Sequence, residues 1–330
     1  ARRILDFSAR EGGTMTAADM AEFSSEWVDP ISTTYRGWTI LEMPPNGQGI
    51  AALEMLNILE NFPLAEYGHN SARALHTMIE AKKLAYADLL RHIGEPRASR
   101  LPVSGLLSKD YARTRAKLID PARANCAVEA GTPPAVGNDT IYLSVVDRAG
   151  NMVSLIQSNY VSVTFGSGLV APGTGFALHN RGGLFSLDPS SPNALAGRKR
   201  PLHTIIPAFL EKGDVRIAFG IMGGWNQSQA HAQFVANLVD FGMNIQQALE
   251  AARFTKSTFA GCDVEMESRI PESVRSELAS RGHKIELLGT FSPDVGGGQA
   301  VQRDFAARVN YGASDPRKDG AALPQLPREN

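Results

Sequence analysis

The chain has 330 residues, and 33 Lys and Arg against 34 Asp and Glu give it a formal net charge of −1. This length allows one large domain or two ordinary ones, and 43% hydrophobic with 20% charged residues excludes a disordered chain. Balanced charge also excludes nucleic acid as the main partner, because that binding runs on clustered cations and Arg198-Lys199-Arg200 is the only dense basic run.

After a short extended opening, the first third reads as helical. Ile50, Leu53, Leu56 and Leu59 fall three apart behind the breaker-rich Pro44-Pro45-Asn46-Gly47, which predicts a helix with one apolar stripe. Asn70 or Ser71 can cap a longer helix toward Ile93, with Leu75, Ile79, Ala85 and Leu89 on its buried side. Glu95 to Gly137 reads as a surface connector with a short helix around Lys109 to Leu118. At Asp139 the pattern changes. Ile141 to Val146 and Met152 to Ile156 flank the turn residues Asp147-Arg148-Ala149-Gly150-Asn151, which predicts a hairpin. A second hairpin is expected from Thr204–Leu210 and Val215–Phe219. Helices follow from about Asn226 to Phe241, from Asn244 to Phe254, and between Pro271 and Gly282. Hairpins followed by helices predict an α+β layered sandwich.

Positions 149 to 180 hold no charged residue, but their Gly, Pro, Ser and Asn content excludes a membrane helix, and the run reads as buried strands. Cys126 and Cys262 exclude a cysteine-based zinc site and a disulfide-dense scaffold while leaving one bridge open. His69, His76, His92, His179, His203, His231 and His283 show no ligand spacing and read as structural. Walker, dinucleotide and G-x-S-x-G motifs are absent; Gly166-Ser167-Gly168 reads as a tight turn.

What remains is a threonine opening a strand, Asp139-Thr140-Ile141-Tyr142, which alone means little. Around it, however, the sequence resembles the γ-glutamyltranspeptidase family of N-terminal nucleophile hydrolases almost end to end. The resemblance rests on Met43-Pro44-Pro45-Asn46-Gly47-Gln48-Gly49, Glu80 to Asp88, Gly105-Leu106-Leu107-Ser108 and Leu143 to Asp147. It continues through Phe165 to Gly168, Lys199-Arg200-Pro201-Leu202, Met222-Gly223-Gly224 and Gly312 to Arg317.

The resemblance implies an αββα sandwich of two stacked antiparallel sheets flanked by helices. It implies self-cleavage between Asp139 and Thr140, so that residues 1–139 would end a large subunit and residues 140–330 would form the small one. Thr140 would be the nucleophile and its freed α-amine, ordinarily near ~7.7–8.0 in pKa, the general base. Gly223 and Gly224 would supply oxyanion-hole amides, and Ser158 stands where a family threonine positions the nucleophile. The expected substrate is a small-molecule amide or γ-glutamyl compound. No cofactor is implied, because nucleophile, base and oxyanion donors all come from the polypeptide.

The sequence departs from the family at the γ-glutamyl pocket. Within Asn180-Arg181-Gly182-Gly183-Leu184-Phe185, Arg181 and Leu184 stand where members hold the α-amino group with an amide and a carboxylate. His203-Thr204 replaces two serines that bind the α-carboxylate, and Trp225 replaces a small residue. Asn180, Arg181, His203 and Thr204 thus form the expected substrate pocket. They suit an acyl group with a carboxylate and no α-amine, as in glutaryl-cephalosporin acylase-like or oxamate-hydrolase-like members. A true γ-glutamyltransferase or glutathione hydrolase, and an unprocessed, silent binding module, are the alternatives. The family's large subunit is much longer than 139 residues, so this chain is expected to require its own missing N-terminal portion as a partner. The sequence leaves compartment and oligomeric state open.

Overall fold

A computed structural model describes residues 1–128, 139–160 and 166–325. Two short helices, α1 (Arg2–Arg10) and α2 (Ala17–Glu22), precede the hairpin β1 (Ile31–Tyr35) and β2 (Trp38–Glu42). Helices α3 (Gly49–Leu59), α4 (Leu64–Tyr67), α5 (Ala72–His92), α6 (Val103–Leu106) and α7 (Lys109–Ala116) follow. Next come β3 (Asp139–Val146), β4 (Met152–Tyr160), β5 (Ala208–Lys212), β6 (Val215–Ile221), α8 (Asn226–Val239) and α9 (Ile245–Glu250). The chain continues through β7 (Phe254–Thr255), β8 (Asp263–Glu267), α10 (Glu272–Ser280), β9 (Lys284–Leu288), β10 (Gly298–Asp304) and β11 (Val309–Ser314).

The central sheet is antiparallel, in the order β1-β2-β5-β6-β10-β11. Its first hairpin turns on Arg36 and Gly37, both at positive φ, the geometry that matches strand twist in a two-residue loop. Helices α3 and α8 cover one face. Every residue of α3 is buried, which explains a helix apolar on nearly all sides. Helix α5 packs over α3 and starts where Ser71 accepts a hydrogen bond from the Ala74 amide at 3.1 Å. Phe219 in β6 faces α8, with its ring 4.8 Å from those of His231 and Phe234. The next residue, Gly220, points to the opposite face, where a Cβ would collide with the Tyr142 ring. The β3–β4 hairpin is therefore a second sheet stacked on the first.

A third, small sheet joins β7 antiparallel and β9 parallel to β8, with α10 as the crossover. It is tied to the end of β11 by buried charges. Arg317 meets Glu267 at 2.7 Å and Asp315 at 2.9 Å, and Asp315 also meets Arg253 at 2.6 Å. A disulfide joins Cys126 to Cys262 across 136 residues, with the Cα atoms 4.9 Å apart.

The fold is thus mixed α+β, with its predicted hairpins in place. Four segments differ from expectation. The two opening helices are additions, and the extended opening is a full hairpin of the central sheet. Thr204 to Pro207 is not strand: Thr204 O and Ile206 N are taken by the Gln48 and Gln227 side chains. The helix from Asn244 stops at Glu250, because Phe254 pairs with Met266 in β7. The uncharged run is a strand only to Tyr160; turns occupy 166–180, and positions 161–165 lie outside the described residues. Among the described residues, no helix is long and apolar enough to cross a membrane.

Candidate active site

Thr140 sits at the head of β3, where the ladder slips: Asp139 pairs with Tyr160 but Thr140 pairs with Ser158. The extra residue, Asn159, makes a bulge, a device that re-aims side chains beside functional sites. Tyr160 completes it at φ +81°, a region costly for a non-glycine residue. The Thr140 hydroxyl donates to Ser158 Oγ at 2.9 Å, and Ser158 Oγ accepts the Tyr160 amide at 2.9 Å. The nucleophile candidate is therefore positioned through its neighbour on the paired strand.

Tyr160 leads to the second group. Its ring lies 5.1 Å from the Arg181 guanidinium, which donates to Thr204 Oγ1 at 3.2 Å. Arg181 is only 8% exposed, its Nη2 has no partner among the described residues, and no ion pair joins it to a described carboxylate. Burial lowers its pKa to about 10. His203 is pushed down to about 4, by burial first and then by the positive charge of Arg181, so its ring is neutral. Its Nδ1 is also buried and without a partner among the described residues. Asn180 does not join this cluster in the described contacts; its amide groups tie the turn to Asn159 O and Gly166 O, both at 3.2 Å.

The third group is Gly223-Gly224, between β6 and α8, at φ +141° and +57°. Their carbonyls accept the Asn226 and Gln227 amides at 2.9 and 3.2 Å, while their own amides make no hydrogen bond to a described residue. The strand end before them is fixed by a buried relay. The Ile221 amide donates to His231 Nε2 at 3.1 Å, so the proton lies on Nδ1, which faces Glu42 at 2.7 Å.

Two residues here were not singled out from the sequence. Gln48 is fully buried, and its Nε2 donates to Thr204 O at 2.8 Å and to Gly224 O at 2.7 Å, joining the second and third groups. Its place inside Pro44-Pro45-Asn46-Gly47-Gln48-Gly49 was the available signal. Asn226 lies against Gly223, buried, with neither side-chain polar atom partnered among the described residues. A lone helix-start asparagine gives no signal of this kind. Trp225 is buried with its ring 5.1 Å from Phe259.

His76, Glu80 and His283 bring potential metal-ligand atoms within 4.8 Å of one another. There, however, Lys83 already holds Glu80 at 2.6 Å and the two imidazoles bond each other at 2.8 Å, so an ammonium occupies the cation position.

A strand-borne hydroxyl at a bulge and a glycine pair at the end of a stacked central sheet lie in a layered, mixed α+β fold. The γ-glutamyltranspeptidase family model matches residues 1–325, and the chain belongs to that family. It is 37% identical over 327 residues to the "Glutathione hydrolase-like YwrD proenzyme" of Bacillus subtilis, covering 98% of this chain and 61% of that protein. To the "Acylase ACY 1 proenzyme" of Pseudomonas sp. strain SE83 it is 34% identical, covering 98% and 56%. The cephalosporin acylase structure from Bacillus halodurans superposes with a TM-score of 0.87 at 43% identity, covering 98% of this chain and 58% of that one. The chain thus spans about three-fifths of the length of these relatives.

Proposed function

We propose that the protein is a self-processing amidohydrolase whose donor is an acyl group bearing a distal carboxylate and no α-amine, such as a glutaryl amide. The observation that carries this reading is Arg181: a buried guanidinium with a free Nη2 and no acidic partner among the described residues. Burying an unpaired cation costs several kcal/mol, and a carboxylate ligand offsets that cost while a cationic α-amine adds to it. Relatives named as acylases support the reading by analogy.

In this mechanism Thr140 Oγ attacks the Asp139 carbonyl carbon, and the peptide C–N bond gives way to an ester. Water then releases the Asp139 carboxylate and the Thr140 α-amine. That amine takes the Thr140 hydroxyl proton when Oγ attacks the substrate amide, and the Gly223 and Gly224 N–H groups receive the oxyanion. A lost donor of that kind costs roughly 10²–10³ in rate. The departing amine carries the proton away, and water hydrolyses the acyl ester. Ser158 positions Oγ, while Arg181 and Thr204, beside neutral His203, hold the acyl carboxylate.

Residues 1–139 would then be the end of the large subunit and 140–330 the small one. The outer face of β3–β4 supports a missing layer: Ile141, Leu143, Val145, Val153 and Leu155 are each between 43% and 57% exposed. The rest of the large subunit would cover that face and complete an αββα sandwich.

Intact mass and N-terminal sequencing of the full-length protein test the processing step, which should yield a fragment beginning Thr140-Ile141-Tyr142. Hydrolysis of glutaryl-p-nitroanilide should exceed that of γ-glutamyl-p-nitroanilide and vanish in Thr140→Ala. Equal rates on the two donors would sink the donor assignment.

A further inference from the structure

The disulfide joins residues on opposite sides of the proposed cleavage bond, since Cys126 precedes Thr140 and Cys262 follows it. We propose that the two subunits of the processed enzyme remain covalently linked through Cys126–Cys262, an inference that rests on cleavage before Thr140. Processing then yields a cross-linked heterodimer rather than two chains held by packing alone.

The surroundings of the bond favour a permanent tether. The Ala124 amide donates to Arg281 O at 2.8 Å, and the Lys284 amide to Cys262 O at 2.7 Å. From α5, Glu80 Oε2 accepts the Asn125 amide at 3.1 Å, and Lys83 Nζ reaches Asn125 O at 3.0 Å and Cys262 Sγ at 3.6 Å. The last stretch of the large half is therefore held on both sides of the bond by groups that cleavage leaves untouched. Only the 13 residues from Ala127 to Asp139 lie between the anchor and the new C-terminus. That tail can extend at most about 45 Å, at ~3.3–3.6 Å per residue, so it can leave the nucleophile without freeing the subunit. Cys262 is buried but Cys126 is exposed, so a small dithiol can reach the bond from one side.

Denaturing electrophoresis and intact mass of the full-length protein, alkylated before unfolding and run with and without dithiothreitol, test this. The expected result is one species without reductant and two with it, the smaller beginning at Thr140. Cys126→Ser should give two species under both conditions while keeping its hydrolytic rate. Two species from the wild type without reductant would overturn the cross-link and leave processing intact. One species with reductant would overturn processing itself, and the cross-link between subunits with it.

Discussion

Two buried arginine environments among the described residues are built on opposite terms. Arg317 sits between Glu267 and Asp315, with further hydrogen bonds to Leu249 O and Ala251 O, both at 2.8 Å. Burial pulls its pKa down, but the two carboxylates outweigh that and raise it. Among the described residues Arg181 has one side-chain hydrogen bond, to Thr204, and no carboxylate partner, and burial lowers its pKa to about 10. The first arrangement is complete in itself and ties sheet to sheet. The second lacks a counter-charge among the described residues, the state that the proposed acyl carboxylate would complete.

The most direct way to break this contrast is Asp315→Asn, which leaves Arg253 and Arg317 buried with too little negative charge. Stability should fall by about 3–5 kcal/mol in urea denaturation, with the rate per folded molecule unchanged. Arg181→Met should do the reverse. It should keep or raise the denaturation midpoint while kcat/KM for a glutaryl donor falls ~10²–10³-fold, the cost of losing a buried charge contact. A stability loss matching that of Asp315→Asn would make Arg181 a strut too.

A pH series sharpens the same point at His203, whose pKa is about 4 in the fold and about 6.5 when unfolded. Between those values the unfolded chain binds more protons, so stability rises with pH and falls on acidification. The His203 share from pH 7 to 5 should be about 2 kcal/mol, seen as a shallower pH dependence in His203→Gln. The smallest effect expected is Ser158→Ala. Removing one positioning hydrogen bond worth about 0.5–1.5 kcal/mol should slow kcat by up to ~10-fold and leave KM nearly unchanged. A change confined to KM would place Ser158 in the acyl pocket instead.

Local signals made part of this architecture legible. Ser71 before a 21-residue amphipathic run gave α5, and the Asp147–Asn151 turn gave the β3–β4 hairpin, because each is encoded within a few residues. Thr204 to Pro207 misled for the opposite reason: β-branched residues there surrender their backbone groups to Gln48 and Gln227, remote in sequence. Cys126 and Cys262 carried no pairing signal, since they stand 136 positions apart with strands of three sheets between them. At the candidate site, Thr140 and the glycine pair were singled out through family motifs, and Arg181 as a departure from them. The bulge at Asn159 and the Gln48 link depend on register and burial, which no local pattern records.

That Gln48 link has a consequence of its own. One amide nitrogen spends both its hydrogens, one on the Thr204 carbonyl and the other on Gly224. Under the proposed function, the floor of the acyl pocket and the cradle for the oxyanion would share that one side chain. On the same proposal, an acyl tail that seats badly against Thr204 would be felt at Gly224, so recognition at the far end of the substrate would bear on bond breaking at the near end.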